Sequence, residues 1–90
     1  MLSIRDMLDY CDISDEQVAL LAEHEGITDA AAAHMVCGMV QSAAGVLVLT
    51  RYMLDLVERA QLRGDPRHAA QAEDVCRRFM AAHPVSPTLH

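Results

Sequence analysis

Apolar residues recur along this chain at three- and four-residue intervals, and short polar punctuation divides them into segments, a pattern that predicts helices from one end to the other. Ser3 with Asp6 opens a short helix over about residues 4–10. Ser14 and Gln17 stand at capping-box spacing, and Asp15 and Glu16 suit the positive end of a helix dipole. That helix runs to about Glu25, with Gly26 placed to end it. Thr28 caps the next helix, which should reach about Gln41 because Ser42 is the next available cap. A longer helix covers about Ala43 to Arg63 and stops at Gly64. Asp65-Pro66 combines a cap with proline at the first helical position, and the helix it opens reaches about Ala82, just before Pro84.

No strand pattern competes, since the β-branched run Val46-Leu47-Val48-Leu49 lies inside a long helical period. The expected fold is all-α: a compact bundle of four main helices plus a short N-terminal helix, joined by tight turns. Residues 1–84 form the expected single domain, and residues 85–90 a flexible C-terminal tail. In the helix over 43–63, Val46, Leu49, Thr50, Met53, Val57 and Ala60 share an inward stripe, opposite a charge ladder of Arg51, Asp55 and Arg59. In the last helix Ala69, Ala72, Cys76, Phe79 and Met80 face inward, with Glu73–Arg77 and Asp74–Arg78 pairs outward.

Composition changes this picture in one respect. The chain is 52% hydrophobic, yet it has fourteen Ala, six Met, one Phe and no Trp, so its core is built from small side chains. The helix over 28–41 is apolar nearly all round, and Val48, Tyr52 and Leu56 run up a second side of its successor. A chain of 90 residues does not readily cover both, so part of this surface is expected to be buried between two copies. The expected homodimer interface comprises Met35, Val36, Met39, Val48, Tyr52 and Leu56.

Charge narrows the partners. The formal net charge is -6, and through Asp29 eight acids face Arg5 alone. Such a surface repels phosphate backbones and anionic lipid, which disfavours nucleic acid and membrane surfaces as partners. Ala30 to Leu49 approaches the length of a membrane span, but it is Ala-rich and broken near Ser42, which argues against insertion. Cys11, Cys37 and Cys76 are odd in number and widely spaced, a usage that fits reduced thiols in a cytoplasm.

Candidate chemistry is sparse. His24 and Glu25 fall toward the apolar side at the end of their helix, while His34 and Cys37, three residues apart, share a face with Ala30, Gly38 and Gln41. Imidazole and thiolate suit zinc or copper, so His24, Glu25, His34 and Cys37 are the metal-ligand candidates if the fold brings them together. The structural alternative is a polar corner at His24 and Glu25, and a small-residue groove in which Ala30 and Gly38 permit close helix approach. Asp6, Asp9, Asp12 and Asp15 recur every third residue, which is not the alternating ligand pattern of a calcium loop. Ala22, Gly26 and the helix after them trace the outline of a helix-turn-helix, but that second helix offers Asp29, four Ala and Met where base-reading side chains are needed.

The run Ile13-Ser14-Asp15-Glu16 through Ala22-Glu23-His24-Glu25-Gly26, then Gly38, Gln41-Ser42-x-x-Gly45, Ala60-x-x-x-Gly64-Asp65 and His83-Pro84, resembles a set of small all-helical bacterial proteins with no assigned activity. Proline is common among them at the position of Ala43, which implies a helix starting just after Ser42. The resemblance implies a compact helical fold in a bacterial cytoplasm.

Together these features predict a non-catalytic cytoplasmic interaction module that needs no cofactor, homodimerises through the two helices over 28–41 and 43–63, and offers that surface to a protein partner. A small metal- or ligand-binding protein is the alternative, and a helix-turn-helix-like regulator a lesser one.

Overall fold

A computed structural model describes residues 3–84, which form five helices and no strand. They are α1 (Ile4–Cys11), α2 (Asp15–Glu25), α3 (Asp29–Met39), α4 (Ala43–Leu62) and α5 (Pro66–Ala82). The fold is an all-α bundle, and its tight turns follow from the caps. Ser3 and Ser14 each complete a capping box, with Asp6 and Gln17 respectively. Thr28, Ser42 and Asp65 each accept from the backbone N–H three residues on, and Pro66 occupies the first turn of α5. Asp12, Gly26 and Gly64 take left-handed backbone conformations at helix ends, so the chain reverses within a few residues. Residues 85–90, expected as a tail, lie outside the described residues.

The junction between α3 and α4 is tighter than the sequence suggests. α3 ends at Met39, two residues before Gln41. Ser42 donates its backbone N–H to the Met39 carbonyl at 3.3 Å, and the Gln41 side-chain amide donates to the Cys37 carbonyl at 3.1 Å. These bonds satisfy carbonyls that the end of a helix leaves open. Gly45 then passes directly over the end of α3. A Cβ at this position would overlap the Met39 carbonyl oxygen and lie 2.7 Å from its carbon. Glycine is required there because two backbones touch.

α4 and α5 form the most extensive helix pair. α2 packs on α3, α4 and α5, while α1 lies across α3. The smallest Cα dimension of the molecule is 18 Å. Helices pack about 9 Å apart, so this is a slab two helices thick. Its core centres on Phe79, Leu21, Leu49, Met53, Val36 and Cys76, all fully buried, with Ala32, Ala33, Ala60 and Ala72 allowing close approach between them. Gln17 is also buried, where its side-chain oxygen accepts from the Ser14 backbone N–H at 3.0 Å. His83 reaches back from the end of α5 to the Asp12 carbonyl at 2.9 Å and packs its ring on Phe79.

The inward stripe of α4 is as expected, and the outward pairs of α5 are present: Glu73–Arg77 at 3.7 Å and Asp74–Arg78 at 2.8 Å. Two placements differ. Met80 is exposed, and Val75 takes the inward position in its place. Asp55 does not join a ladder with Arg51 and Arg59, because His24 of α2 lies closer. No helix among the described residues is long and apolar enough to cross a membrane, since the apolar run from Ala30 breaks at Val40–Ser42.

Candidate docking surface

The proposed metal-ligand residues do not converge. His24 lies at the end of α2, where Nδ1 is 2.7 Å from Glu25 Oε2 and Nε2 is 3.4 Å from Asp55 Oδ2. Its ring stacks on Tyr52 of α4 with centroids 4.4 Å apart. Beside it, His68 Nε2 on α5 is 3.4 Å from Glu23 Oε2. Three helices therefore meet through imidazole–carboxylate contacts, and the His24 ring is locked by a stack on one face and carboxylates at both nitrogens.

His34 is elsewhere, on the exposed side of α3, with Nδ1 2.9 Å from the Ala30 carbonyl. Cys37, three residues on in the same helix, turns into the core, where its thiol donates to the Met7 carbonyl at 3.6 Å. Among the described residues no three His, Cys, Asp or Glu side chains are arranged to hold a metal ion. The expected close approach at Gly38 is also not found, since the space where its Cβ would stand is open. The His24 arrangement is a corner that fastens α2 to α4.

Two of the three thiols are buried in the core. Burial, reinforced by Cys11, pushes the Cys37 thiol up to about 12. Burial and then the nearby Glu73 raise Cys76. Because the thiolate is the reactive form, both should be slow nucleophiles at neutral pH. Alkylation with iodoacetamide at pH 8 is expected to modify half-exposed Cys11 first, with Cys37 and Cys76 at least about tenfold slower until denaturant is added. Mass spectrometry counts the adducts, and rapid modification of two thiols in the native protein would contradict this burial.

The expected interface residues are divided by the fold. Val36 and Leu56 are buried within the single chain, so neither is available to a partner. Met35, Met39 and Tyr52 are half-buried against the core, and Val48 alone of the six is exposed. The reason is coverage: α1 lies over α3, and α2 lies over the Leu56 side of α4. The eight-residue α1 and the longer α2 thus conceal much of what composition suggested would need a second chain.

Apolar surface nevertheless remains, on a different stripe of α4. Leu47 is 57% exposed, Leu54 47% and Leu62 83%, with Val48 beside them at 39%. Leu47 and Leu54 are seven residues apart, and Arg51 and Glu58 complete a four-three-four spacing along one line of the helix. The signal for this line in the sequence is the seven-residue recurrence of leucine at 47 and 54, within a segment that also carries Arg51, Asp55 and Arg59. Leu47 also borders a shallow groove of about 380 Å³, lined with Val46, Thr50, Met80, His83 and Pro84. Compared with protein-family models, curated proteins and solved structures, the chain matches none.

Proposed function

We propose that this protein is a non-catalytic interaction module that self-associates through α4. The observation that carries the reading is the exposed line of Leu47, Leu54 and Leu62 on the longest helix, in a slab too thin to enclose any helix on all sides. Each leucine retains an apolar surface whose removal from water stabilises association by about 25 cal/mol per Å². The thiols of Cys37 and Cys76 and the His24 corner, which serves packing, fit a protein that works by contact.

Light scattering coupled to size exclusion, from micromolar to millimolar protein, tests this. The mass is expected to rise from monomer toward dimer, with a midpoint on the order of tens to hundreds of micromolar for so small a contact. A strict monomer at millimolar concentration would end the self-association reading.

A further inference from the structure

We infer that the partner on this face is a second copy of the same chain, docked with the two α4 helices antiparallel and Arg51 of each facing Glu58 of the other. The inference rests on the proposed self-association and adds its geometry. Arg51 and Glu58 are exposed, and neither has an ion-pair partner within 4 Å among the described residues. They stand one heptad apart in the exposed line, about 10 Å along the helix axis. Between them lies Leu54, and beyond them lie Leu47 on one side and Leu62 on the other.

This order is self-complementary. A two-fold axis beside Leu54 and Asp55 brings residue 47 opposite 62 and residue 51 opposite 58 of the second copy. Leucine then meets leucine at both ends, with Val48 flanking the contact, and the two copies of Leu54 meet near the axis. Two identical Arg–Glu pairs form at once. A parallel pair would instead set Arg51 against Arg51 and Glu58 against Glu58, so charge selects the antiparallel arrangement. Asp55 lies near the axis, but its carboxylate is turned toward His24 Nε2 within the chain.

The test uses two charge reversals at exposed positions, Arg51→Glu and Glu58→Arg, with the dimer equilibrium measured by sedimentation. Each variant alone places like charges at both contacts, and its self-dissociation constant is expected to rise about tenfold or more. An equimolar mixture of the two variants has opposite charges at both contacts, and is expected to form a heterodimer at least as readily as the unaltered chain dimerises. Circular dichroism checks that each variant keeps its helices. If the unaltered chain remains monomeric to millimolar concentration, both the self-association and this geometry are overturned. If it dimerises but the variants dimerise equally well, or the mixture gives no recovery, self-association stands and the antiparallel pairing is overturned.

Discussion

Phe79→Ala is expected to cost about 3–5 kcal/mol of folding stability. A domain of this length has roughly 5–13 kcal/mol in total, so the variant loses a large share of it. Phe79 is the single phenylalanine, is fully buried, and stands in a core that includes six buried alanines. Its ring packs against His83 at a centroid distance of 4.8 Å, and His83 in turn reaches the Asp12 carbonyl, so removal also loosens the closure of α5 on the α1–α2 turn. Thermal denaturation followed by circular dichroism should show a midpoint lower by about 15 °C or more, if the variant folds at all. A loss below about 1 kcal/mol would mean that the core closes around the vacancy without Phe79.

Gly45→Ala should destabilise by about 2–3 kcal/mol, against the ordinary preference of helices for alanine. The new methyl would meet the Met39 carbonyl, a piece of backbone held by its own helix, so α3 and α4 must separate. Gly38→Ala is the matched control. It lies in the last turn of α3 with open space around its Cβ position, and should be neutral or stabilising by up to about 1 kcal/mol. Urea denaturation of both variants reads the difference. Equal effects would show that the contact between Gly45 and Met39 places no constraint on the sequence.

The helices were legible because their ends are chemically marked. Ser3, Ser14, Thr28, Ser42 and Asp65 all cap helices, and Pro66 opens α5. The exit of α3 was legible only to within two residues, since it depends on how closely Gly45 meets Met39, a contact between two elements. Burial follows from periodicity where one stripe dominates, as in Val46, Leu49, Met53, Val57 and Ala60. It does not follow where a helix is apolar on two sides, because periodicity does not say which side a neighbouring helix covers. Val36 and Leu56 went inside for that reason, while Leu47, Leu54 and Leu62 remained outside. The His24 corner was half visible: its inward position follows from helical angle, whereas Asp55 and Tyr52 lie on another helix, far away in sequence.

The thinness of the molecule bears on how its sequence can drift. With only two tiers of helices, every element keeps one wet side, and side chains there can be exchanged with little effect on folding. Constraint gathers in the single plane between the tiers, where Leu21, Leu49, Met53 and Phe79 meet. Two descendants of this chain could therefore share that plane and its helix-capping residues while differing almost everywhere else.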